Sequence, residues 1–321
     1  GDGTIESWET SGGGMGNANS SPTVSDCRFL NNYADDGGGG MFNYNSKPLI
    51  FNCILSGNSV GTDASGGGMY NRYFSNPELI GCSVIGNQAS VGGGMYNYYN
   101  SSPSLTNCEL NNNSATVSGG GMYNRYFSHP FMLGCNINYN SAEVGGGGMY
   151  NSSLSDPVLI DCNFISNSCD ADGGGMGNLT SNPSLTSCNF SQNSSVIGGG
   201  ISFRIGCEPT ITNCSIVDND SIREGAGLFF YYFCNFSATD CTITGNEIGV
   251  SSGSGSGLHM STFCNATLAN CTIEQNEIQG DVGGIACLHS CNIEITNCSV
   301  KNNIAEGNFG MDFHIEGNCN L

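Results

Sequence analysis

The sequence predicts an all-β chain wound as a parallel β-helix of about twelve coils, each built from three short strands. Three observations carry this. Cysteine recurs at Cys27, Cys53, Cys82, Cys108, Cys135, Cys162, Cys188, Cys214, Cys241, Cys271 and Cys298, at intervals of 26 to 30 residues. Asparagine follows each of them five residues later, at Asn32, Asn58, Asn87, Asn113, Asn140, Asn167, Asn193, Asn219, Asn246, Asn276 and Asn303. An apolar residue closes a glycine cluster in every period, at Met15, Met41, Met69, Met95, Met122, Met149, Met176, Ile201, Leu228, Leu258, Ile285 and Met311. A unit of this size cannot bury its own apolar face, so successive units must stack and share one elongated core. Residues 1–321 therefore form a single repeat domain.

Each part of the unit has a physical reason. Alternating stretches separated by Gly, Pro and Asn clusters have the period of strands and corners, with no helical pattern. In a coil, each strand pairs with its equivalent about 4.8 Å along the axis, so about twelve coils make a rod on the order of 55 Å long. The apolar column fills one wall of the core, where methionine adapts easily. Stacked asparagine amides can hydrogen-bond from coil to coil, and asparagine tolerates the left-handed backbone of a corner. Proline precedes the cysteine by five residues at Pro22, Pro48, Pro77, Pro103, Pro130, Pro157, Pro183 and Pro209. Lacking an N–H, it belongs at the start of a strand or in the corner before it. Length varies between the asparagine and the next glycine cluster, which marks that segment as the tolerant loop.

Seven Lys plus Arg against 27 Asp plus Glu give a net charge of −20. Such a surface repels nucleic acid and anionic lipid, and no apolar run is long enough to span a bilayer. Eighteen cysteines in a lysine-poor chain point to export into an oxidising compartment. Asn-x-Ser/Thr sequons at Asn19, Asn100, Asn151, Asn178, Asn235 and Asn265, among others, accord with an extracellular or cell-surface location.

The glycine clusters ending in methionine, paired with segments such as Phe29 to Asn32, Ile137 to Asn140 and Phe190 to Asn193, resemble the glycine-rich and Phe-x-x-Asn repeats of the polymorphic outer membrane protein family. More broadly, the chain resembles right-handed parallel β-helix repeats of large secreted surface proteins. The resemblance implies a right-handed coil and says little about activity.

Seven residues before each column cysteine stands a second column: Ser20, Ser46, Ser75, Ser101, Ser128, Ser155 and Ser181, then Cys207, Cys234, Cys264 and Cys291. Equivalent positions on paired strands have a Cα spacing that a disulfide accepts. Cys207 with Cys234 and Cys264 with Cys291 are the expected pairs. The long cysteine column reads equally as a disulfide framework or as a ladder of free thiols packed as small hydrophobes. Zinc spacing is approached only by Cys287 and Cys291, without a histidine pattern.

Catalytic material is sparse. His129, His259, His289 and His314 lie in different coils and share no evident column, and Arg72, Arg125 and Arg204 share a column without clustered acids. Acids gather in the variable segment at Asp35 and Asp36, Asp170 and Asp172, and Asp218, Asp220 and Glu224, where Ca²⁺ could bind, although solvated turns have the same composition. No cofactor is required. Phe42, Tyr70, Tyr96, Tyr123 and Tyr150 follow the apolar column, and alternation points them outward. Tyr73, Phe74, Tyr98, Tyr99, Tyr126 and Phe127 thicken that stripe, which reads equally as a face for glycan or protein and as an aromatic ladder that reinforces cross-strand packing. The first glycine cluster at residue 12 and the last apolar-column residue, Met311, leave neither end capped, so either the chain is a segment of something longer or its ends pair with other copies head to tail. The leading reading is a non-enzymatic, exported, disulfide-reinforced rod that self-assembles into a filament, sheath or surface coat. The alternative is a surface adhesin or glycan-binding module using the aromatic stripe, and a polysaccharide lyase or hydrolase ranks third.

Overall fold

Four strands, not three, make up each coil. The structure, a computed structural model, describes residues 11–250, 253–307, 311–317 and 319. In the second coil the strands are Met41–Tyr44, Leu49–Phe51, Ile54–Ser56 and Ser59–Val60. Equivalent strands of successive coils pair in parallel, giving, among the described residues, one sheet of twelve strands and three of eleven. Sheets one to three are the expected faces. The fourth runs through the segment read as a tolerant loop, where strands of two to five residues hold small buried side chains such as Ala34, Ala115, Ala142 and Cys169 against the axis. No periodic residue type announces it.

The columns stack as their spacing implies. Met41 pairs with Met69, Met69 with Met95, and Met95 with Met122, all fully buried. At the last coil, Ile285 pairs with Phe313 and not with Met311, which is exposed. The final glycine is followed by Met311 and Asp312 before the strand begins, so counting from the glycine misplaces the column by two residues. Asp312 instead receives the last rung of the asparagine ladder, accepting from Asn303 Nδ2 at 2.8 Å.

That ladder is continuous. Asn113 donates both its backbone N–H and its Nδ2 to Asn140 Oδ1, at 2.9 and 3.1 Å, and Asn140 repeats the pattern onto Asn167 at 3.0 Å for both. The second Nδ2 hydrogen of Asn140 goes to the Leu110 carbonyl at 2.8 Å. The ladder asparagines do not themselves take the left-handed backbone expected of them. The residue just before each does, for example Asn31, Asn112 and Asp218, which frees the ladder residue to point inward. The ladder in turn explains the glycines opposite it. A Cβ on Gly121 would stand 2.5 Å from the Gly148 carbonyl oxygen and 3.0 Å from Asn140 Nδ2, so no side chain fits.

A second amide ladder runs down the first sheet. Asn17, Asn43, Asn71, Asn97, Asn124, Asn151 and Asn178 are buried, and each Nδ2 reaches the next Oδ1 at 2.7 to 2.8 Å. It ends where Asn178 donates to the Ser202 carbonyl, and the position is then taken by Phe203, Phe230, Met260 and Cys287. The serine column becomes cysteine at the same coil. From there the interior is more apolar, with Phe203 and Phe230 stacked at 4.6 Å.

Proline sits directly before each three-residue strand of sheet two, as at Pro48 before Leu49 and Pro209 before Thr210. Where proline is missing, the strands lengthen to five residues, Asn235–Thr239, Asn265–Ala269 and Asn292–Thr296. Restoring the N–H lets pairing begin two residues earlier, and Phe236, Ala266 and Ile293 take the inward place that proline holds in the earlier coils.

Candidate functional site

All eighteen cysteines are free thiols. Cysteine and serine columns do the same job. Cys264 Sγ donates to the Ser261 carbonyl and Cys291 Sγ accepts the Cys264 N–H at 3.3 Å; Ser101 Oγ donates to the Tyr98 carbonyl and accepts the Ser75 N–H at 3.2 Å. Interchange between the two residue types is therefore structurally conservative. The expected pairs, Cys207 with Cys234 and Cys264 with Cys291, are neighbouring buried thiols and not bonded cystines. The neighbouring Cys234 thiol and burial hold Cys264 up at about 12, with Cys291 opposing the shift, and burial holds Cys169 at about 11, so neither is a thiolate at neutral pH.

Among the described residues no three His, Cys, Asp or Glu side chains gather as a metal site. Asp172 pairs with Arg204 at 2.6 Å, one acid beside the arginine column. Burial raises the Asp172 carboxyl, with Arg204 opposing the shift. Histidines 259 and 314 do share a register position, separated by Ala286, a relation hidden by the misplaced last column. His259 is buried against Phe229 with its Nδ1 2.9 Å from Ser254 Oγ, and burial lowers its pKa.

The aromatic column is a stack, not an open face. Ring centroids lie 5.4 Å apart from Phe42 to Tyr70, 5.1 Å from Tyr70 to Tyr96, and 5.2 Å from Tyr96 to Tyr123 and from Tyr123 to Tyr150. Phe42, Tyr96 and Tyr123 are buried, and Tyr70 and Tyr150 are half-buried. Alternation assigned these rings to the correct side of the strand but could not report what lies beside them. Bare glycines leave the room: a Cβ on Gly37 would stand 2.7 Å from the Tyr70 ring, and one on Gly145 would stand 2.7 Å from that of Tyr150. Burial lifts the Tyr150 hydroxyl to about 12.

Exposed aromatics occupy the corner that follows. Between the first sheet and the serine or cysteine column, most coils insert two residues in left-handed backbone: Tyr73 and Phe74, Tyr99 and Asn100, Tyr126 and Phe127, Ser153 and Leu154, Tyr232 and Phe233, and Thr262 and Phe263, with φ between 50° and 67°. Their backbone N–H groups still extend the axial ladder, as when Phe74 donates to the Tyr99 carbonyl at 3.1 Å. Their side chains project outward. Phe74 is 52% exposed, Phe127 45%, Phe233 48% and Phe263 48%. Phe233 and Phe263 stack at 5.0 Å, and Arg72 and Arg125 lie over the rings of Tyr73 and Tyr126 at 4.9 and 4.6 Å. This ridge takes in Tyr73, Phe74, Tyr99, Tyr126 and Phe127 of the residues read as thickening the stripe, leaves Tyr98 on the first sheet, and extends to Leu154, Ile205, Tyr232, Phe233 and Phe263. The signal that would have found the extension is an apolar residue just ahead of the serine or cysteine column.

Beside the ridge, Asp36, Asp63, Ser65, Tyr70, Arg72 and Tyr98 line a cleft of about 430 Å³. The sequons divide sharply, because Asn151 and Asn178 are locked in the second ladder while Asn235 and Asn265 are exposed. No helix among the described residues is long and apolar enough to cross a membrane. No curated protein and no solved structure matches the chain. A family model described as a right handed beta helix region matches residues 2–129, 116–256 and 198–320, and with four continuous parallel ladders beneath that match the chain belongs to the right-handed β-helix family.

Proposed function

We propose that the protein is an exported, non-enzymatic surface rod that binds an extended glycan along its aromatic corner, in the manner of an adhesin. One observation carries the reading. Bulky apolar side chains stand in left-handed backbone and face solvent, coil after coil, although each costs about 1 kcal/mol or more relative to glycine or asparagine there. Ring stacking between coils offsets part of that. Strain of this kind persists where a partner uses the side chain, and aromatic faces stack well on the C–H faces of sugar rings.

The surrounding features agree with an extracellular location. Exposed sequons, the acidic surface and the likeness to polymorphic outer membrane protein repeats all support it. In an oxidising exterior, Cys207 with Cys234 and Cys264 with Cys291 are neighbours able to join as disulfides and stiffen the distal coils.

A glycan array tests the reading. The protein should bind a subset of linear glycans, and the double variant Phe74→Ala, Phe127→Ala should bind at least tenfold more weakly with an unchanged far-ultraviolet spectrum. No glycan binding by the native protein, or equal binding by the variant, removes it. A second reading, a load-bearing rod that assembles into a filament, sheath or coat, is favoured by the two axial amide ladders, which resist bending. Electron microscopy would support it with ordered polymers and remove it with separate single rods.

A further inference from the structure

The cleft beside the ridge is built from two sides of the coil. Tyr70, Arg72 and Tyr98 come from the first sheet, while Asp36 and Asp63 come from the variable segments of consecutive coils. Those segments are held in register by bridges from Ser11 to Gly37, Gly37 to Ser65 and Ser65 to Val91, so the two carboxylates are carried one coil apart on paired backbone. Asp63 sits at the tip of a turn closed by Ala64 N–H on the Gly61 carbonyl, with φ of 65°. The cleft adjoins the ridge, since Arg72 and Tyr98 immediately precede the corner residues Tyr73 and Tyr99 and Arg72 lies over the Tyr73 ring.

Aromatic walls with a few convergent polar groups, in a volume of about 430 Å³, have the form of a small-ligand site. Tyr70 is held in the ring stack between Phe42 and Tyr96, so its edge and the half-buried Tyr98 ring form the apolar wall for the C–H side of a pyranose ring, and carboxylates accept hydrogen bonds from its hydroxyls. Two carboxylates against one guanidinium leave the lining net negative, in a chain whose net charge is −20. A uronic or sulfated unit would meet like charge on entering, whereas an uncharged or amine-bearing pyranose would not. We infer that the cleft holds one pyranose unit of the neutral hexose or hexosamine class and so selects which glycan lies along the ridge. This rests on the proposed glycan binding.

Calorimetric titration with four oligosaccharides of equal length separates the two ideas: neutral hexose, N-acetylhexosamine, free hexosamine and uronate. The first three should bind, with uronate at least tenfold weaker. Asp63→Asn should weaken hexose and hexosamine binding about tenfold without moving the melting temperature and should narrow the gap to uronate, and Tyr98→Ala, which also removes ring contacts with Tyr73 and Tyr126, should weaken both about tenfold with an unchanged far-ultraviolet spectrum. Equal affinity for uronate overturns the inference. So does full binding by both cleft variants when the double variant Phe74→Ala, Phe127→Ala has lost it, an outcome that leaves the ridge standing alone. If no oligosaccharide binds, the ridge and the cleft fall together.

Discussion

Replacing Asn140 with alanine should destabilise the rod by roughly 3 kcal/mol or more, because every polar atom of that side chain is engaged inside the core. Asn140 Oδ1 accepts both the N–H and the Nδ2 of Asn113, while its own Nδ2 donates to Leu110 and Asn167. Truncation at this fully buried position strands the Asn113 N–H, one Asn113 Nδ2 hydrogen and the Leu110 carbonyl, while the Asn167 amide oxygen keeps the Asn140 backbone N–H. Each buried donor or acceptor left without a partner costs about 1–3 kcal/mol. Urea titration followed by circular dichroism reads the loss. An Asn140→Ala midpoint close to that of the native protein would mean that the amides do not bear the coil stacking.

Phe230→Ala should cost about 3–5 kcal/mol, the range for a deleted buried ring. Phe230 is fully buried between Phe203, at 4.6 Å, and Phe236, at 3.7 Å, in the part of the rod where amides have given way to apolar groups. The second amide ladder has ended there, leaving the Asn219–Asn246–Asn276 ladder as the remaining buried amide column. Because a solenoid is stabilised by nearest-neighbour contacts, the damage should be local. Hydrogen exchange should show lost protection around Leu228–Tyr231 and the coils beside it, with the coils around Asn43 to Asn124 unchanged. Uniform loss along the whole rod would contradict a quasi-one-dimensional core.

Most of the architecture was legible because side chains in a β-helix repeat with the coil. Cys108, Asn113 and Met95 each announce a column, and each column stacks. The fourth sheet was not legible, since Ala115, Ala142, Cys169 and Ser195 share only small size. The second amide ladder was legible in principle, two residues after each methionine, but Asn97 in a tyrosine-rich segment reads as a turn residue. Binding residues were legible in type and not in exposure. Tyr96 and Tyr99 are three residues apart and look alike in sequence, yet one is sealed in a ring stack and the other projects from a left-handed corner. That difference depends on bare glycine in a neighbouring segment and on backbone conformation, neither of which an alternation pattern encodes.

The ridge account makes its sharpest claim about stability. Coil four already places Asn100 where coils three and five place Phe74 and Phe127, so asparagine is native to this left-handed position. If the phenylalanines are kept for a partner, Phe127→Asn should melt at the native temperature or slightly above it, because asparagine relieves backbone strain at a site that buries little. A fall larger than about 3 °C, on the order of 1 kcal/mol for a chain of this kind, would show that the ring holds the corner together and would contradict the account.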